Sequence, residues 1–146
     1  MERLIATLPE LGAEAARFVG TLVPKEGGAT LVTLSGELGA GKTAFAKAVA
    51  KTLGIEETVN SPTFVLEKIY QLGNAVSKFK RLVHIDAYRL EKGSDLAPLG
   101  FNELMQDADN LILLEWPENV ARALPPSAAS ISLVAQADGA RIISYG

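Results

Sequence analysis

The sequence predicts an α/β fold on one mixed sheet, and three observations carry that prediction. A β-branched apolar run at 29–34 is followed at once by a glycine-rich turn and then by an apolar stripe at helical spacing. A second apolar run, at 111–116, reads as a buried strand. Two pairs of strand-like segments, 63–70 with 79–87 and 131–135 with 141–145, are joined by short connections. Such pairs are hairpins, so the sheet is not purely parallel.

Taken in order, the first element is a helix opening at Thr7. Its hydroxyl can cap free amides, Pro9 suits a first turn, and Glu10 stands at the capping-box spacing. Leu11, Ala15, Phe18, Val19 and Leu22 then recur at helical spacing and face the core, until Pro24 and Gly27-Gly28 end the element. The strand at 29–34 feeds the glycine turn. The helix after it, 43–53, buries Phe45, Ala46, Val49, Ala50 and Leu53 and stops at Gly54. Val59-Asn60-Ser61-Pro62 reads as a loop, with Ser61 held extended by the proline. Gly73-Asn74 is a turn. Residues 94–104 read as helical turns broken near Pro98 and Gly100. Pro117 ends the strand at 111–116, Pro125-Pro126 is a rigid break, and Asp138-Gly139 turns the terminal hairpin.

Composition narrows the function classes. A length of 146 residues suits one domain, 1–146, rather than two. No run reaches the roughly 18 apolar residues of a membrane helix, and the start lacks the pattern of a secretory signal. The chain has no cysteine and one histidine, which excludes disulfides and disfavours structural zinc. A cytoplasmic location fits. The net charge of −3 argues against a long nucleic-acid-binding surface. Lys68, Lys78, Lys80, Arg81 and Arg89 form a local basic stretch that reads as a solvated edge, with a partner or RNA contact as the alternative. Nothing points to stable self-association.

The glycine turn carries the chemistry. Gly36-Glu37-Leu38-Gly39-Ala40-Gly41-Lys42-Thr43 satisfies G-x-x-x-x-G-K-[ST] between a strand and a helix. Glycines let amides turn toward phosphate oxygens, and the helix adds its N-terminal amides and positive dipole end. Lys42 reaches the β- and γ-phosphates, and the Thr43 hydroxyl serves Mg²⁺. The dinucleotide pattern G-x-G-x-x-G is absent. The fold class is therefore a three-layer α/β domain of the P-loop NTPase kind, with a mixed parallel and antiparallel sheet. The expected ligands are ATP and Mg²⁺.

Acidic residues at strand ends supply the rest. Glu115 closes an apolar strand and suits Mg²⁺ or an attacking water. In His84-Ile85-Asp86-Ala87-Tyr88-Arg89, alternation sets His84, Asp86 and Tyr88 on one face, with Asp86 a second metal or water ligand. His84 reads as structural rather than as a base. Thr63 is a candidate switch residue near the γ-phosphate, or else a strand-start threonine. Trp116 either covers the site or packs.

These segments, in this order, make the chain resemble the TsaE (YjeE) family of bacterial P-loop ATPases. The resemblance runs through the loop 36–43, Asn60-Ser61-Pro62-Thr63-Phe64, His84-Ile85-Asp86-Ala87-Tyr88-Arg89-Leu90, Leu99-Gly100-Phe101 and Leu114-Glu115-Trp116-Pro117-Glu118-Asn119. It implies ATP hydrolysis in support of threonylcarbamoyladenosine formation on tRNA, together with TsaB and TsaD, without performing the transfer. It also implies Lys42 and the loop amides on phosphate, Thr43 and Glu115 on Mg²⁺, Thr63 and Asp86 as switch-like and acidic groups, and Trp116 beside the acid. Arg141 and the helix start near Thr7 lie close to the nucleotide in that reading. Glu37 and Ala44 depart from the common aspartate and hydroxyl residue, and the tail after Pro126 is short. A small-molecule kinase would want an arginine-rich lid, and a GTP switch would want N-K-x-D. Neither is present. A nucleotide-gated module with negligible turnover is the non-enzymatic alternative.

Overall fold

A computed structural model describes residues 1–55, 66–73 and 78–146. Strand β1 (Glu2–Ile5) leads into helix α1 (Leu8–Thr21), strand β2 (Thr30–Ser35) and helix α2 (Lys42–Thr52). Strands β3 (Glu67–Gln71) and β4 (Arg81–Asp86) follow, then a 3-10 segment Gly93–Leu99, helix α3 (Phe101–Met105) and strand β5 (Asn110–Glu115). A second 3-10 segment, Pro117–Ala123, precedes strands β6 (Ala129–Ala135) and β7 (Arg141–Tyr145).

Among the described residues the strands form one 7-stranded sheet in the order β1-β7-β6-β2-β5-β4-β3. The centre is parallel, β6 to β2 to β5 to β4, and each margin is antiparallel, β3 on β4 and β1 with β7 on β6. Both expected hairpins are thus present. Each pairing sets two chain-adjacent strands side by side, while the long returns carry helical segments between parallel strands.

Period-2 alternation divides the core into two layers. On one face, Val32, Leu34, Leu111, Leu113, Leu133 and Ile143 pack under α1 and α2, whose Leu11, Phe18, Phe45 and Val49 are buried. On the other, Leu31, Val83, Ile85, Ile112 and Leu114 meet the 3-10 segments and α3 through Leu96, Phe101 and Val120. The expected α2 stripe is buried throughout, including Ala46, Ala50 and Leu53.

Some boundaries differ from the sequence reading. At α1, the Thr7 hydroxyl accepts from Glu10 N at 3.2 Å, but the Glu10 carboxylate accepts from Ala6 N at 2.8 Å rather than from Thr7. The cap is one residue wider than a capping box because the β1-to-α1 bend turns the Ala6 amide toward the carboxylate. The run at 111–116 ends as a strand at Glu115, since Trp116 is left-handed, with φ 61° and ψ 52°. The strand expected at 79–87 ends at Asp86, which leaves Tyr88 beyond the sheet. The loop at 59–62 and the start of the strand expected at 63–70 lie outside the described residues, as does Asn74 of the expected turn. Helical turns at 94–104 do break at Gly100, φ 72°.

Candidate functional site: a phosphate loop at the parallel strand ends

The parallel centre aligns the carboxyl ends of β2, β4 and β5. Leu34 registers with Glu115, and Glu115 with Asp86. The chain leaving β2 turns through the loop and enters α2 at Lys42. A crevice outside strand carboxyl ends is where α/β sheets hold ligands. Here it is a cleft of about 400 Å³ that brings together Leu38, Gly39, Gly41, Lys42, Thr43, Asp86, Glu115, Trp116 and Arg141.

The loop glycines are there for steric reasons. Gly36 has φ 144°, and a Cβ on it would stand 2.4 Å from the Leu133 carbonyl oxygen. Gly41, the residue before α2, has φ 105°, and its Cβ would meet the Arg141 Nε at 2.4 Å. Gly39, φ 79°, faces open space. Ala40 N donates to Glu37 O at 3.1 Å, which closes the turn. No side chain caps α2, so its first amides and dipole end face the cleft, the arrangement that suits phosphate.

Lys42 is 5% exposed, and its Nζ donates to the Gly36 carbonyl and to Glu37 O at 3.0 Å. Nζ also stands 4.2 Å from the Trp116 ring centroid, a cation–π contact. Burial pushes the ammonium below the ordinary lysine range, against the opposing pull of Glu115, Glu118, Asp86 and Glu37. Trp116 lines the cleft, its backbone is left-handed, and Tyr88 stands 5.1 Å from it between centroids at a 50° tilt.

Glu115 and Asp86 are 2% and 3% exposed. His84 Nε2 lies 2.6 Å from Glu115 Oε2. This contact holds one oxygen of Glu115 against the His84 ring. Asp86 Oδ1 accepts from Tyr88 N at 3.0 Å, which orients that carboxyl where β4 ends. Among the described residues no group of three or more His, Cys, Asp or Glu side chains could hold a metal by itself. Thr43, Asp86 and Glu115 fit instead the sparse oxygen set of a magnesium ion that takes its remaining ligands from phosphates and water.

Arg141, 101 residues from Ala40 in sequence yet adjacent in space, donates from Nε to Ala40 O at 2.9 Å. Thr63 lies outside the described residues. The start of α1 borders the loop helix. Leu8, Pro9 and Gly12 form with Ala44, Lys47 and Ala48 a groove of about 1040 Å³ that shares Thr43 and Ala44 with the phosphate cleft. Sequence reasoning assigned no role to Asn119, whose amide donates to the carbonyls of Ala87 at 3.0 Å and Tyr88 at 3.3 Å and so ties the Glu115 turn to the Asp86 turn. Its place in Glu115-Trp116-Pro117-Glu118-Asn119 was the available signal. Two members of the basic stretch are paired: Lys80 with Asp109 at 3.7 Å, and Arg81 with Asp107 and with Asn110 at 2.7 Å. That pairing favours the solvated-edge reading for them.

Comparison with known proteins agrees with this geometry. The family model of the threonylcarbamoyl adenosine biosynthesis protein TsaE matches residues 7–143. The tRNA threonylcarbamoyladenosine biosynthesis protein TsaE of Treponema pallidum is 40% identical over 79% of this chain and 80% of its own. The protein of that name from Bacillus subtilis is 37% identical over 79% of this chain and 68% of its own. The crystal structure of YdiB from Bacillus subtilis superposes with a TM-score of 0.77 at 28% identity, covering 99% of this chain and 83% of that one. With its phosphate loop, mixed sheet and strand-end carboxylates, the chain belongs to the TsaE family.

Proposed function

We propose that this chain is a P-loop ATPase, folded as one domain over 1–146, that binds ATP with Mg²⁺ and hydrolyses it. Its hydrolysis supports threonylcarbamoyladenosine modification of tRNA in the cytoplasm, alongside the TsaB–TsaD pair, and the chain leaves the transfer itself to that pair. The observation that supports it most is the set of groups around one cleft: loop amides, Lys42, Thr43, Asp86, Glu115 and Arg141.

In this reading the amides of 36–43 and the start of α2 bind the phosphates, and Lys42 exchanges its loop carbonyls for β- and γ-phosphate oxygens. Arg141 supports the loop through Ala40 and faces the same phosphates. The groove between α1 and α2 takes the base on Leu8, Pro9 and Ala44. Mg²⁺, when bound, neutralises charge on the phosphate oxygens. Thr43, Asp86 and Glu115 are its protein-side oxygens. Glu115, fixed by His84, also orients water for in-line attack, and Thr63 acts as the switch. Because Lys42 is held by Gly36 and Glu37, turnover is slow alone and rises when a partner engages the loop.

The test is ATP turnover with Mg²⁺ by the purified chain, alone and with the TsaB–TsaD pair. Stimulation by the pair, with a fall of at least about 100-fold in Lys42→Ala, is expected. Unchanged ATP affinity and turnover in that variant would remove the assignment.

A further inference from the structure

Just past Asp86 and Glu115 the parallel ladder gives out. Ala87 N still donates to Glu115 O at 3.0 Å. The next amides turn elsewhere: Tyr88 N to Asp86 Oδ1 at 3.0 Å, Leu90 N to Ala87 O at 3.0 Å, and Trp116 N to Leu34 O at 3.1 Å. Asn119 spans this gap. Its backbone N–H donates to Trp116 O at 3.1 Å, on the Glu115 side. Its side-chain nitrogen donates to Ala87 O at 3.0 Å and to Tyr88 O at 3.3 Å, on the Asp86 side.

The chemistry of those contacts is specific. Both acceptors are carbonyl oxygens, and a carboxamide nitrogen carries one hydrogen for each. The Ala87 carbonyl and the Tyr88 N–H belong to one planar peptide unit. Asn119 therefore fixes the plane whose opposite side holds Asp86 Oδ1. The asparagine is itself carried on a packed segment. Val120, its neighbour, is 1% exposed in the second core layer. Ala123, at the end of the same segment, lies so close to Gly93 that a Cβ on the glycine would stand 2.7 Å from the Ala123 Cβ.

We propose that Asn119 is a positioning residue that orients the Asp86 carboxyl relative to Glu115 and so sets the affinity of the divalent-cation site they form with Thr43. The inference rests on the metal role given to those side chains above. Magnesium demands near-ideal octahedral geometry, so a ligand free to turn binds it more weakly. Groups that orient metal ligands carry much of a site's affinity for that reason.

The test is titration of Mn²⁺, followed by the electron paramagnetic resonance of the free ion, into the wild-type chain, Asn119→Leu and Asn119→Ala, each saturated with ADP. Leucine keeps the branched shape of asparagine and removes both donors, and alanine removes the shape as well. Asn119 is half-buried and Tyr88 is exposed, so water can take over the released Tyr88 carbonyl, and Ala87 O keeps Leu90 N. About tenfold weaker Mn²⁺ binding is expected in both variants. ADP affinity measured in a chelator, without metal, should stay at the wild-type value. Wild-type Mn²⁺ affinity in both variants would overturn the role of Asn119 and leave the metal site standing. Equal weakening of Mn²⁺ and of metal-free ADP would make the residue a general support of the cleft and overturn it too. If the wild-type chain held no more Mn²⁺ than ADP holds in solution, the metal role of Asp86 and Glu115 would fall first, and this inference with it.

Discussion

At the residue scale, the loop glycines separate two costs that a glycine motif usually merges. Alanine at Gly39 meets only the strain of φ 79°, because nothing lies within 4 Å of its Cβ; that costs about 1–2 kcal/mol. Alanine at Gly41 adds a collision with Arg141, a flexible side chain that can swing away from Ala40 O. Alanine at Gly36 meets the Leu133 carbonyl at 2.4 Å, where a whole strand of backbone must shift. Urea unfolding should therefore rank the losses Gly39→Ala, Gly41→Ala, Gly36→Ala in increasing order, with several kcal/mol for the last. Equal losses at all three would mean that φ alone sets the cost. The motif itself was fully legible in the sequence. The unequal demands on its glycines were not, because they come from β6 and β7, about 100 residues away along the chain. The left-handed Trp116 was hidden for the same reason, since its N–H donates to Leu34 O of β2 at 3.1 Å and its ring meets Lys42 and Tyr88.

At the element scale, legibility followed burial. The α2 stripe and β5 are buried at nearly every apolar position, so their periods showed plainly. Strand β1 went unread because only Ile5 of its four residues is buried. The 3-10 segments contain prolines and follow no 3.6-residue period. Beside the apolar packing of Ile5, Ile143 and Phe18, an ionic cluster ties β1 and β7 to α1. Glu14, 5% exposed, takes Arg17 at 2.6 Å, Arg3 at 3.2 Å and the Tyr145 hydroxyl at 2.6 Å. The Arg17 hydrogen bonds hold the Glu14 carboxyl below the usual range against the opposing effect of burial, and burial with Glu14 pushes the Tyr145 phenol up. A carboxyl with a depressed folded pKa adds stability above its unfolded value of about 4.3, and that stability is lost as pH falls through the folded pKa. Glu14→Gln should cost about 1–3 kcal/mol at pH 7 in chemical denaturation. The gap from wild type should narrow steadily below about pH 4.3. A gap independent of pH would show that the carboxylate charge is not what holds the strands.

At the scale of the whole molecule, the cleft is assembled from both wings of the sheet. The parallel centre gives the loop, Asp86 and Glu115, while the antiparallel margin gives Arg141. The sequence showed each wing, and the family resemblance implied Arg141 near the nucleotide, but the strand order that closes the terminal hairpin back on the loop was not legible, because it is settled by tertiary packing. That closure makes nucleotide binding a global event. A ligand touching both wings favours the native state as a unit and not one lobe of it. ATP with Mg²⁺ at a hundredfold excess over its dissociation constant should add about 2.7 kcal/mol. For a chain of this size that is a rise of roughly 5–10 °C in a single calorimetric transition. Arg141→Ala should lower the baseline by about 1 kcal/mol through the lost Ala40 tie. It should also reduce the ATP-induced rise, because the margin then no longer shares in the ligand. If ATP split the transition in two, the wings would be unfolding separately and the coupling through Arg141 would be wrong. If the full rise persisted in Arg141→Ala, the arginine would be a structural tie to the loop and not a nucleotide contact.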